Sequence, residues 1–220
     1  MIDANPVVKI DQCHIDFIYG LLVAHKPGKV LEIGMGSGMI TDVIIRAFDH
    51  NGIPLKLTCV DNWLDWDFCK PAEIAKYEDK GVLVTVSNEK DFVLSCREKY
   101  DLIISDADHY HSHEWFNRTL SLLKPNGLLI CHDVTNSEFL NLRLVYRAVK
   151  WGGLPHFLFN KSSSENERCE RGLLVVRGGS IRICFLAAFY FLRICDAVFL
   201  LKQLFFRLAR AVLKKRSAHP

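Results

Sequence analysis

Residues 31–38 read Leu31-Glu32-Ile33-Gly34-Met35-Gly36-Ser37-Gly38, an apolar run that ends in three glycines at alternate positions. Residues 29–33, bounded upstream by Pro27-Gly28, are short and apolar and predict a buried strand. Residues 39–48 place apolar side chains at helical spacing and stop near Asn51-Gly52, which predicts a helix. In a strand–turn–helix of this kind Gly34 and Gly36 permit close backbone approach. The helix N-terminus then offers free N–H groups to an anionic moiety. A glycine turn alone is also compatible with a plain βα connection that holds no ligand. One helix and one strand later comes Cys59-Val60-Asp61-Asn62, which sets Asp61 at the tip of a second strand over residues 55–60. A carboxylate there can accept hydrogen bonds from two ribose hydroxyls.

The alternation continues. Residues 82–86, 102–105 and 128–131 are apolar strands, with helices expected near 70–79, 90–99 and 113–123 and a turn at Pro125-Asn126-Gly127. Strands alternating with helices imply an α/β fold, a doubly wound, mostly parallel, Rossmann-like sheet covered on both faces. After Asp133 the pattern changes. A helix is expected over 137–150, then strands at 157–159 and 173–176 joined by a polar loop, which suits an antiparallel hairpin at the sheet's edge. A helix near 10–24 would cover one face. Three regions follow: a helical cover at 1–27, the α/β domain at 28–179, and a hydrophobic, basic helical tail at 180–220.

The formal net charge of +3 conceals an asymmetry. From Ile181 onward there are eight basic residues against the single acid Asp196, so the rest of the chain is net acidic. An acidic body argues against general nucleic-acid binding, which leans on phosphate neutralisation. The eight cysteines are scattered, with no C-x-x-C pair, and read as reduced thiols of a cytoplasmic protein. The N-terminal residues lack the basic flank and apolar run of a secretory signal.

The glycine turn resembles the first motif of the class I S-adenosylmethionine-dependent methyltransferases, E/D-x-G-x-G-x-G, through Glu32, Gly34, Gly36 and Gly38. Nicotinamide-binding turns show G-x-G-x-x-G, and here the third glycine comes one position early. The resemblance covers about residues 28–177 and implies a seven-stranded sheet and S-adenosyl-L-methionine as cofactor. It also implies that Glu32 helps position the methionine end, that Asp61, with Asn62 beside it, holds the ribose, and that Ser87 and Asn88 lie near the adenine. Trp63, Trp66 and Phe68 either pack on the adenine, line the acceptor pocket or anchor their loop.

The densest ionisable stretch is Asp106-Ala107-Asp108-His109-Tyr110-His111-Ser112-His113. Asp106 closes the fourth strand, and His132-Asp133 closes the fifth, so two adjacent strand tips bring Asp106, His132 and Asp133 into one crevice beside the cofactor. Carboxylates with one imidazole suit a hard or borderline divalent cation, Mg2+ or Mn2+. The same groups also serve as caps and loop hydrogen-bond partners in proteins without an ion. The segment resembles the methyltransferases whose fourth strand ends D-x-D-H and whose fifth ends H-D or D-D/D-N, among them sugar and catechol-type O-methyltransferases. That resemblance implies Asp106 and Asp133 as metal ligands and His132 as a third, where many metal-dependent relatives carry an acid. Asp108 and His109 are the candidate bases for activating an acceptor hydroxyl. His111 and His113 read as part of the next helix start, with Ser112 as its N-cap.

Residues 181–216 show an imperfect amphipathic pattern. A membrane span needs about 20 apolar residues, and this stretch approaches that only by admitting Arg193 and Asp196. A helix lying in the membrane interface, peripheral on the inner face, is the favoured expectation; packing on the domain or on a second copy in a homo-oligomer stays open. The expected function is O-methylation of a small-molecule, saccharide or lipid-linked hydroxyl, with or without a metal. A non-methylating, oxygenase-like enzyme on the same fold and a catalytically silent membrane-tethered binding module are the alternatives.

Overall fold

Every residue of β1 (Val30–Ile33) and β2 (Leu57–Asp61) is buried, as expected of parallel strands covered on both faces. The computed structural model describes residues 11–64, 74–160, 171–178 and 189–202. Five further strands follow: β3 (Leu83–Val86), β4 (Tyr100–Ser105), β5 (Leu123–Cys131), β6 (His156–Phe159) and β7 (Leu173–Arg177). They form one seven-stranded sheet in the order β3-β2-β1-β4-β5-β7-β6. The five strands from β3 to β5 are mutually parallel; β7 runs antiparallel to β5, and β6 antiparallel to β7. The expected hairpin is present, and the later strand of the pair is the inner one. Order reverses between β1 and β4, the switch point at which open α/β sheets bind ligands.

The pleat divides the core in two. Leu31, Ile103 and Leu129 face α5 (Phe116–Ser121) and α6 (Leu140–Trp151), with Leu120, Val145 and Val149 packed against them. Their sequence neighbours Val30, Leu102 and Ile130 point the other way, onto Ile18 and Leu22 of α1 (Gln12–His25) and Ile44 and Phe48 of α2 (Met39–Asn51). α1 is therefore part of the second core layer. Phe189 and Leu192 join the first, so the helical residues 189–202 dock on the domain through one face. Among the described residues no helix is long and apolar enough to cross a membrane.

Several expected boundaries move. α3 spans only Ala75–Glu78, and residues 65–73, with Trp66 and Phe68, lie outside the described residues. α4 is Glu89–Ser95, four residues short of the expected end. Arg118 of α5 reaches across to the carbonyl oxygens of Val93 and Cys96 and so satisfies the groups a longer helix would have used. The helix expected over 113–123 is a 3-10 turn, Ser112–Glu114, followed by α5. Ser112 is not an N-cap: its hydroxyl is buried inside the turn without a hydrogen-bond partner. Pro125-Asn126-Gly127 is an irregularity within β5, where Asn126 takes φ 64° and the register against β4 jumps.

Candidate active site

The glycine turn lies between the tips of β1, β2 and β4. Gly34 adopts φ 87°, and a Cβ there would stand 2.6 Å from the Asp106 carbonyl oxygen, so only glycine lets the tips of β1 and β4 close together. Gly38, at φ 84°, opens α2; a Cβ on it would lie 2.1 Å from the Tyr77 hydroxyl oxygen. Gly36, between them, also has positive φ. Its amide donates to Asp61 Oδ2 at 2.7 Å, and the amide of Trp63 donates to Asp61 Oδ1 at 2.7 Å. The Trp63 indole N–H closes the ring of contacts on the Gly36 carbonyl at 2.9 Å. Asp61 thus ties the second strand tip to the turn, and each of its oxygens keeps a lone pair for a further donor. Trp63 anchors the turn, one of the roles expected for it.

Glu32 sits beneath the turn and is fully buried. Its Oε2 accepts from Thr41 Oγ1 at 2.7 Å and from Cys59 Sγ at 3.1 Å. Its Oε1 is buried without a hydrogen-bond partner. Burial pushes the Glu32 carboxyl up to about 8, against the two hydrogen bonds and with help from the charges of Asp106 and Asp61. These features fit a cationic, adenosine-bearing ligand. Glu32 leaves one acceptor unsatisfied under the turn, the turn has glycine at each of its three motif positions, and Asp61 presents a fixed carboxylate beside it.

Asn62 faces a group that sequence reasoning missed. Its amide and side chain donate to Glu89 Oε1 and Oε2 at 3.3 and 3.0 Å. Glu89, the first residue of α4, is 7% exposed, and burial raises its pKa, with Asp61 adding to the shift. Its only local signal is its place just after a strand tip. Asn88 caps α4 by accepting from the Asp91 amide at 3.2 Å, and the Ser87 hydroxyl turns onto the Asn88 carbonyl. Both stand at the strand tip, as expected, with their side chains engaged locally.

The second cluster gathers Asp106, His109, His132 and Asp133, whose ligand-type atoms all lie within 4.8 Å of one another. Asp106 Oδ1 is 3.1 Å from His109 Nε2 and 3.0 Å from His132 Nδ1. Asp133 closes the group, with Oδ2 3.4 Å from His109 Nε2 and Oδ1 3.5 Å from His132 Nδ1. Asp133 takes φ 58°, and its Oδ1 is buried without a hydrogen bond. Burial opposes charge on His132, but Asp106 and Asp133 outweigh it and push the imidazole up to about 10. His109 is raised in the same way, and the two histidines hold Asp106 far below the usual carboxylate range. The ring of Phe139 stacks on His109 at 4.6 Å.

The two candidate bases are placed differently. Asp108 does not join the cluster: it is exposed at φ 35° and accepts from the His111 amide at 3.0 Å, which makes it a turn cap. His109, the other candidate base, lies inside the cluster, with Nε2 facing Asp106 and Asp133. A buried fifth group was not foreseen. His14 of α1 is 3.1 Å through Nδ1 from His132 Nε2 and packs edge-on against Phe159. Its signal is a histidine in line with Ile18 and Leu22, at spacing that faces the core.

Comparison with known proteins agrees with this geometry. Residues 31–134 match the family model described as a methyltransferase domain. Of curated proteins, malonyl-(acyl-carrier protein) O-methyltransferase of Priestia megaterium is 29% identical over 161 residues, 67% of this chain and 54% of that protein. A hybrid PKS-NRPS synthetase of Penicillium oxalicum is 32% identical over 133 residues, 58% of this chain and 3% of the synthetase. The chain thus spans about half of one relative and a small part of the other. An O-methyltransferase of Bacillus cereus, solved with SAH, superposes with TM-score 0.63 at 16% identity over 78% of this chain and 84% of that one. An O-methyltransferase of Streptomyces achromogenes, solved with SAM, gives 0.62 at 14% identity over 79% and 83%. Residues 31–134 are thus similar to a methyltransferase domain, and the chain has the fold of these O-methyltransferases.

Proposed function

We propose that this chain is an S-adenosylmethionine-dependent O-methyltransferase acting on the hydroxyl of a small molecule. One juxtaposition carries the reading: the glycine turn with Asp61 and the Asp106–His109–His132–Asp133 cluster occupy neighbouring strand tips, pinned together where Gly34 meets Asp106. S-adenosylmethionine, when bound, supplies an electrophilic methyl group on a sulfonium. Asp61 accepts from the ribose hydroxyls, Glu32 completes its unpaired oxygen from beneath the turn, and Asn62 and Glu89 border the adenosine side. Positioning is the protein's main contribution, because a neutral hydroxyl reacts only when held in line with the methyl carbon.

Asp106, His132 and Asp133 are the residues to hold a divalent cation. Two carboxylates around one centre support that reading, as does Asp133 Oδ1, which is buried without a hydrogen bond and has His132 at 3.5 Å and Arg171 Nε at 3.8 Å beside it. Imidazole in the set favours Mn2+ or another borderline ion over Mg2+. Such an ion, when bound, lowers the pKa of an acceptor hydroxyl. His109 is the more accessible imidazole, 19% exposed against 3% for His132, and takes the acceptor proton at Nε2 once its own is lost. The acceptor is further read as a saccharide or lipid-linked hydroxyl met at the inner face of a membrane; the basic, apolar segment 181–216 supports this.

Titration calorimetry with S-adenosylmethionine and with its demethylated product tests the cofactor, and heat from neither ends the proposal. Methyl-label transfer into cell extract, with and without chelator, tests the reaction and the metal. Label that never leaves the cofactor would make the chain a silent binder.

A further inference from the structure

Residues 189–202 form a helix that packs on the domain along one face over its first two turns, while Phe199 and Leu200 beyond them are exposed at 60% and 66%. The inner face is fixed: Phe189 and Leu192 are buried in the core beside α6, and Asp196 accepts from Arg147 Nη1 at 3.0 Å. The outer face carries Tyr190, Ile194, Val198 and Leu201, between 59% and 65% exposed, with Phe191 at its border. Their spacing of four, four and three makes one continuous stripe. A contiguous patch of large apolar side chains facing water marks a contact surface.

We propose that this stripe lies in the headgroup region of an anionic membrane, with the helix parallel to the surface. Charge selects the occupant. Asp196, the only acid after residue 181, is paired with Arg147 at the surface, away from the stripe, while Arg193 and Lys202 flank the stripe and Arg207, Arg210, Lys214, Lys215 and Arg216 follow in sequence. A second copy docked on this face would bring two such sets of positive charge together. An anionic lipid surface takes up both the apolar stripe and the cations, the pair of signals that stable peripheral anchoring requires. The purpose of this contact rests on the proposed methylation of a membrane-presented acceptor; the contact itself does not.

The test is flotation of the full chain with phosphatidylcholine vesicles, with and without phosphatidylserine. The chain is expected to float with the phosphatidylserine vesicles and to be released as salt rises. The double variant Ile194→Glu/Val198→Glu is expected to weaken that binding about tenfold or more while S-adenosylmethionine affinity and melting temperature stay unchanged. Ile194→Ser/Val198→Ser is the milder substitute if the glutamates impair folding. Equal flotation of variant and parent, or none by the parent, overturns the proposal. So does a parent dimer, seen by light scattering, that the double variant makes monomeric, because a second copy would then cover the stripe. Vesicle binding without S-adenosylmethionine binding removes the methyltransferase reading and leaves this one standing.

Discussion

His14 Nδ1 lies 3.1 Å from His132 Nε2, so a helix that precedes the sheet reaches into the cluster formed by the tips of β4 and β5. The contact occupies the one ring nitrogen of His132 that faces away from Asp106. It therefore sets which nitrogen of His132 is offered to the cluster.

His14→Leu leaves His132 Nε2 buried without this partner, at a cost of about 1–3 kcal/mol, read as a lower urea midpoint. Mn2+ affinity, measured by calorimetry, is expected to fall about tenfold or more. His14→Asn places a polar atom near the position of Nδ1 and should restore much of both. Equal losses in the Leu and Asn variants would show that His14 only fills space.

Asp61 accepts one backbone amide through each oxygen. Asp61→Asn keeps one acceptor but sets an NH2 group against an amide N–H. Its S-adenosylmethionine affinity is expected to fall by nearly as much as in Asp61→Ala, about tenfold or more. Calorimetry at fixed salt decides; full affinity in the Asn variant would remove Asp61 from the site.

Gly38→Ala combines a backbone at φ 84° with a Cβ 2.1 Å from the Tyr77 hydroxyl. A loss of about 1–3 kcal/mol in stability is expected from the backbone alone, with the contact added. Adding Tyr77→Ala relieves the contact and leaves the strain, so this second substitution should cost less in the Gly38→Ala variant than in the parent. A double-mutant cycle from denaturant melts measures this.

Glu32 titrates near 8 in the fold against an ordinary value of 4.5, so between these values the folded chain holds a proton that the unfolded chain has lost. Its contribution is fully present below the unfolded value and is lost as pH rises through the folded one. Glu32→Gln has no such proton. The stability of the Gln variant relative to the parent is expected to climb from pH 5 to about pH 8 and then level. A constant difference across that range would show that Glu32 is charged in the fold.

Asp133→Asn is expected to abolish Mn2+ binding and leave S-adenosylmethionine binding within about twofold, because Asp133 belongs to the cluster and not to the turn. Calorimetry with each ligand separates the two. Mn2+ binding that survives the substitution would assign Asp133 a structural role.

Much of the fold was legible because its signals are local. Apolar runs with glycine turns announced the parallel strands; Asp61, Asp106 and Asp133 followed from their places at strand ends, and Glu32 from the resemblance of its glycine motif. The inner position of β7 was not legible, since a hairpin's spacing is the same whichever strand pairs with β5. Asp108 and His109 differ by one residue, yet φ 35° at Asp108 turns one side chain to solvent and leaves the other in the cluster. The end of α4 depends on Arg118, whose reach to its carbonyls no periodicity records.

The sequence by itself determined the class of fold, the glycine turn and the residues at each strand tip, because strand, turn and helix preferences act over a few neighbouring residues. Only the tertiary structure decided that His14 meets His132, 118 residues away, that Glu89 faces Asn62, and that Asp196 pairs with Arg147 and leaves an apolar stripe on the other side of its helix. Those contacts arise when separate elements pack, and packing is set by the shape and charge of whole surfaces rather than by spacing along the chain.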